Sequence, residues 1–249
     1  MKNFLLYIGI LIFSYSCTPS SNFYIENGNT FIVIDQHASN AAILAAHELQ
    51  HFIQKSSGIK LPIVKSVPSK QAKLFCIGKS PYTPELDTIQ FKAQEYLIKI
   101  TPEKIIFAGQ DENKKHDNGR DNNGTTLSND RLKINYSQLI NDSIGHKEIT
   151  LPSIYDAQGS CYAVYDFLEK FIGIRFYGPH PLNIIIPQKA KIQFPLTEIR
   201  RTPDLKYRVG TYSFEWPMMK DQYFNSSGEM FQLFLRRIKF GGEKWAANH

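Results

Sequence analysis

Cysteine is scarce, with three in 249 residues, and no two of them form a Cys-x-x-Cys pair. That excludes a thioredoxin-type redox motif and a cysteine-rich zinc module. A glycine-rich phosphate loop and a recognisable serine–histidine–aspartate order are also missing, since Gly109 and Gly119 stand alone. No apolar run approaches the ~20 residues of a membrane-spanning helix, and the run at residues 4–13 has ten. Charge of either sign is thinly spread. The net +6 comes from scattered basic residues, densest at Arg200, Arg201, Lys206 and Arg208, and again at Arg236, Arg237 and Lys239. No RNA-binding aromatic motif or helix-turn-helix pattern accompanies them, so the composition points away from a nucleic-acid partner.

The amino terminus carries an address. Lys2 and the short apolar run fit a secretory signal peptide. Ser14-Tyr15-Ser16-Cys17 then resembles a bacterial lipobox, in which Cys17 is lipidated and opens the mature chain. The expectation is an exported, membrane-anchored lipoprotein facing the periplasm or the cell surface, with residues 18–22 as a tether. Cys76 lies in an apolar, strand-like run and Cys161 on an apolar helix. An exported chain permits a disulfide between them, and both positions also suit buried free thiols.

A large core is affordable in about 230 mature residues. Residues 157–179 supply its centre: Gly159 and Ser160, then Tyr162, Val164, Tyr165, Phe167, Leu168 and Phe171 at helical spacing, then Gly173 as a stop. A short strand follows at Ile174, Phe176 and Tyr177. Earlier, Asn27-Gly28 between apolar runs predicts a hairpin of residues 23–26 with 30–35. A helix over residues 39–57 has Ser39 or Asn40 as cap and Gly58 as stop. Strands are expected at 61–64 and 74–77, a hairpin at 96–100 with 105–108, a short helix near 137–141, and a last strand pair of 184–186 with 191–194. Residues 111–130 read as an exposed polar loop. A calcium loop fails there, because Gly119 and Asp130 fall where an acidic first residue and a bidentate glutamate are required. Residues 195–208 read as a linker, followed by a strand at 207–214 and an amphipathic helix at 228–240.

One motif invites a catalytic interpretation. His47-Glu48-Leu49-Gln50-His51 is an H-E-x-x-H, in which two histidines four apart bind zinc and the glutamate activates water. Against a zinc protease, the apolar stripe Ala42, Ala45, Leu49, Phe52 and Ile53 puts His47 and His51 near the opposite, solvent-facing side. The longer zinc pattern needs glycine and histidine where Gln54 and Ser57 stand. The nearest acidic third-ligand candidates, Glu85 and Asp87, lie in a loop after Pro81 and Pro84. The motif is therefore expected to be a decoy on a helix surface, with no metal or other cofactor.

Segments 45–62, 77–80, 159–179 and 202–208 together resemble the N-terminal domain of bacterial alpha-glucuronidases and related predicted glycoside hydrolases. The resemblance implies an α+β fold, a mixed sheet with helices packed on it, similar to the beta-hexosaminidase accessory domain and to zinc proteases without their metal centre. It implies a non-catalytic domain at 23–200, then a linker and the start of a truncated (β/α)8 barrel at 201–249. No catalytic residue carries over, since the barrel's carboxylates would lie beyond this sequence. Glu215 and Trp216 fall at the end of the first expected barrel strand, where they are candidates for touching sugar in an intact relative, with a structural role as the alternative. The implied partners are the missing C-terminal barrel, a glycan, and the membrane through the lipid anchor. A stand-alone glycan-binding or interaction module is the alternative.

Overall fold

The computed structural model describes residues 22–112, 132–140, 147–208 and 228–243. Cys17, Glu215 and Trp216 lie outside them, as does most of the polar stretch tested for calcium. Among the described residues, no helix is long and apolar enough to cross a membrane.

The chain is α+β around a six-stranded mixed sheet. Its strands are β2 (Thr30–Ile34), β3 (Ile63–Val64), β4 (Lys73–Ile77), β5 (Tyr96–Ile100), β6 (Lys104–Gly109) and β12 (Thr197–Arg201), in spatial order β12-β5-β6-β4-β2-β3. β3, β2, β4 and β6 run parallel, while β5 is antiparallel to both its neighbours. The parallel strands are almost continuously apolar because both faces are covered. Alternation along each strand divides the core. Ile32, Phe75, Ile98, Ile105 and Phe107 join the larger cluster beneath the helices, whereas Val33, Cys76, Leu97, Ile106 and Ala108 join a smaller one on the other face. Cys161 belongs to the larger cluster, so the sheet separates it from Cys76, and both thiols are free and buried. Burial pushes the Cys76 thiol up to about 12.

Two helices cover the larger face. In α1 (Asn40–Ser57), the Ser39 hydroxyl accepts from the Ala42 N–H at 3.0 Å, and Gly58 closes the helix at φ +77°. The second, α3 (Gly159–Phe167), runs into a π-helical turn at Leu168–Ile172 that Gly173 ends at φ +90°. Phe167 packs edge-on against Phe107 at 5.0 Å and Phe194 at 4.7 Å, which makes this helix the centre of an aromatic core.

Several local expectations are corrected. β1 (Asn22–Tyr24) does not form a hairpin with β2; it pairs with β11 (Gln193–Pro195), drawn there by Phe23, which stacks on Phe194 at 6.3 Å. The Asn27-Gly28 turn survives, with Gly28 at φ +80°, but it only redirects the chain into the central sheet. β9 (Arg175–Phe176) pairs with β10 (Ile184–Ile185), so 184–186 and 191–194 are not partners. Residues 197–201 are the sheet edge β12, paired with β5, rather than linker. Two short strands, β7 (Lys133–Asn135) and β8 (Glu148–Thr150), pair across α2 (Tyr136–Leu139). Near the C-terminus, β13 (Tyr207–Arg208) pairs with β14 (Gly241–Gly242), and α4 (Gly228–Arg237) lies between them. This pairing is antiparallel, whereas successive barrel strands are parallel.

Candidate functional site

Glu48 sits at the middle of α1 and is fully buried. Its two carboxylate oxygens are taken. Arg237 of α4 donates from Nε to Oε2 at 2.7 Å and from Nη2 to Oε1 at 2.9 Å, and the Tyr136 hydroxyl of α2 donates to Oε1 at 2.6 Å. The Arg237 guanidinium, itself 4% exposed, lies over the rings of Phe52 and Phe176 at 5.2 and 5.5 Å. Burial alone would raise the Glu48 carboxyl, but the charge and hydrogen bonds of Arg237, with that of Tyr136, hold it below the usual carboxylate range.

This overturns the picture of a solvent-facing helix surface. His47 and His51 are half-buried, and Glu48 is on the core stripe rather than beside it. His47 lies against Tyr136, with ring centroids 5.6 Å apart, while His51 lines a pocket of about 270 Å³ with Met230, Leu233 and Arg237. A water-activating glutamate needs a solvent-accessible oxygen in a cleft. Glu48 instead is enclosed by a guanidinium and a phenol. Among the described residues, no group of three or more His, Cys, Asp or Glu is placed to hold a metal ion.

Burial pushes His47 down to about 4, helped by the Lys147 cation and opposed by Glu48. The unfolded chain therefore binds the extra proton first, and stability falls as pH drops from about 6.5 towards 4. The urea midpoint is expected to decline over that window, and His47→Gln to flatten part of the decline. Equal slopes in both proteins would contradict the burial of a neutral imidazole.

The clustered basic residues also have internal partners. Arg236, 1% exposed, donates from Nε and Nη2 to the Pro152 carbonyl at 3.0 and 2.7 Å. Lys239 pairs with Glu169 at 2.9 Å. Arg208 donates to the Lys239 carbonyl at 2.6 Å and the Tyr162 hydroxyl at 3.1 Å. Arg200 forks onto Glu95 at 2.7 and 3.1 Å. Residues 207–208 and 228–243 are thus fixed to the sheet domain by buried or half-buried cations.

A second place has the geometry of a binding site, and no motif announced it. The chain leaves β2 through α1 towards β3 on one side, and leaves β4 towards β5 and β6 on the other. Such divergence opens a crevice at the carboxyl ends of parallel strands. A cavity of about 720 Å³ lies there, lined among others by Asp35, Ser39, Gly78, Lys79, Phe91 and Asp111. Asp111 is not part of an exposed loop. Its Oδ2 accepts from the Ser39 hydroxyl and its Oδ1 from the Ser160 N–H, each at 2.9 Å, so one carboxylate serves the first turns of both α1 and α3. Burial raises its carboxyl above the usual range, against those hydrogen bonds.

No protein-family model matches the chain, and no curated protein sequence matches it. Some solved structures are similar to it over part of their length. One is the GH20 beta-N-acetylhexosaminidase of Streptomyces coelicolor A3(2), 12% identical over 76% of this chain and 25% of that one, with a TM-score of 0.40. Another is a GH20 exo beta-N-acetylglucosaminidase from Vibrio harveyi, 12% identical over 75% and 18%, TM-score 0.35. A third is a family GH115 4-O-methyl-alpha-glucuronidase with specificity for decorated arabinogalactans, 11% identical over 88% and 25%, TM-score 0.44. These neighbours are glycoside hydrolases. Identity and TM-score are low throughout, and the chain spans about a quarter or less of each of the three.

Proposed function

We propose that this chain is the accessory α+β domain of an exported glycoside-hydrolase-like protein acting in glycan breakdown, alpha-glucuronidase-like in kind. It does not itself cleave glycosidic bonds, and Cys17 tethers it to a membrane. Its role is to seat the catalytic barrel that follows in an intact relative, with α4 as the barrel's first helix. The observation that supports this is the buried Glu48–Arg237 pair, which joins α4 to α1. A fully buried ion pair is costly to desolvate and contributes specificity of docking more than net stability. The H-E-x-x-H glutamate is on this reading a docking residue.

The test is to assay the purified chain against aryl alpha-glucuronides, aryl beta-N-acetylglucosaminides and casein, to measure bound zinc, and to read the coding DNA beyond codon 249. No turnover, no stoichiometric zinc and a following barrel are expected. Turnover by the chain alone, or a zinc-dependent peptidase activity, would contradict the proposal. Palmitate labelling of Cys17 checks the anchor, and Cys17→Ser is expected to abolish it. A self-contained glycan-binding module is the second reading, and the crevice at the strand ends favours it.

A further inference from the structure

We propose that the crevice at the carboxyl ends of β2, β4 and β6 binds a neutral, hydroxyl-rich sugar ring. This rests on the glycan-handling reading above, and it adds a site to a domain otherwise assigned only a docking role. The cavity's size falls within the usual range for small-molecule pockets and exceeds a single hexose. Gly78, at φ +72°, and Gly109 bring main chain onto its lining.

The polar groups select the ligand's charge. The first turns of α1 and α3 favour an anion, but Asp111 already occupies that position with a carboxylate. Asp35 adds a second carboxylate on the lining, oriented by the His37 N–H at 2.8 Å. Asp87, on the rim, is paired with Lys79 at 3.4 Å. An incoming phosphate or carboxylate would meet the Asp35 and Asp111 carboxylates, while Lys79 already faces Asp87 and no arginine is among the described residues of the lining. Sugar hydroxyls, by contrast, donate well to fixed carboxylates. Phe91, Pro81 and Ile77 supply the apolar wall against which the C–H face of a pyranose packs. Carboxylates, hydroxyls and one aromatic wall on a preformed frame fit a neutral saccharide better than a nucleotide or an organic acid.

The experiment is an amide-resolved NMR titration of the purified chain with galactose, xylose, N-acetylglucosamine, glucuronate and spermidine. At least one neutral sugar is expected to shift the amides of Gly78, Lys79, Ser80 and Gly109, with glucuronate about tenfold weaker or worse. Asp35→Ala is expected to weaken the sugar by about tenfold or more. Lys79→Trp, at an exposed position on the lining, narrows the cavity without touching the core and is expected to abolish binding even if Asp35→Ala does not fold. Shifts with none of the neutral sugars, shifts with spermidine alone, or binding unchanged in both variants would overturn the proposal. None of those outcomes bears on hydrolysis or on the attachment of α4, so the accessory-domain reading fails or stands separately.

Discussion

Glu48→Ala is expected to cost about 3–5 kcal/mol of folding stability, among the largest effects available from one side chain in this protein. The cause is what remains. Arg237 would keep its charge between Phe52 and Phe176 at 4% exposure, with no counter-ion within the cluster, and the Tyr136 hydroxyl would lose its acceptor. The damage should concentrate where α4 meets α1, so hydrogen exchange of residues 228–237 should rise more than that of β4 or β6. Glu48→Leu combined with Arg237→Met should recover most of the loss, because two matched apolar groups need no desolvation of charge. Denaturant titration reads all three variants. A loss under about 1 kcal/mol for Glu48→Ala would mean that the pair is solvated.

The second large effect concerns backbone, not charge. Gly109 at the end of β6 and Gly159 at the start of α3 cross so closely that neither can carry a side chain. A Cβ on Gly109 would stand 2.4 Å from the Glu95 carbonyl oxygen and 2.5 Å from the Gly159 Cα. A Cβ on Gly159 would stand 2.5 Å from that same oxygen and 2.6 Å from the Gly109 Cα. These neighbours are main chain, held by the Gly159 N–H to Gln110 carbonyl bond at 3.0 Å and by the Asp111–Gln158 bridge, so no rotamer change relieves the clash. Alanine at either position should cost about 3 kcal/mol or more, or prevent folding, through displacement of α3 from the sheet. Gly58→Ala is the control. It faces open space at φ +77° and should cost only about 1–2 kcal/mol. Comparable losses at Gly58 and Gly159 would show that the crossing is looser than described.

Local signals carried much of the fold. The Ser39 cap, the Gly58 and Gly173 stops, the 96–108 hairpin and the helix at 228 follow from capping, turn chemistry and periodicity, which act within a few residues. What escaped was long-range competition. Asn27-Gly28 favours a hairpin locally, yet Phe23 gains more by stacking on Phe194, and β2 by entering the buried centre of the sheet. β12 reads as linker because Glu198, Arg200 and Arg201 are charged, although a sheet edge tolerates and even favours such residues. Glu48 had a readable warning: residues 44, 45, 48, 49 and 52 share one face, so the glutamate belongs to the apolar stripe and must find a buried partner. Which partner was not readable, because Arg237 lies 189 positions away. The crevice was invisible for the same reason, since it depends on strand order and not on any motif.

Glu48 of the H-E-x-x-H segment is the internal counter-ion of Arg237. A double-mutant cycle on Glu48→Gln and Arg237→Gln, read by denaturant unfolding with and without a zinc chelator, addresses it directly. A coupling energy of about 2 kcal/mol or more between the two positions is expected, with unfolding midpoints that the chelator leaves unchanged. Additive single effects, or a midpoint that falls when zinc is removed, would contradict it.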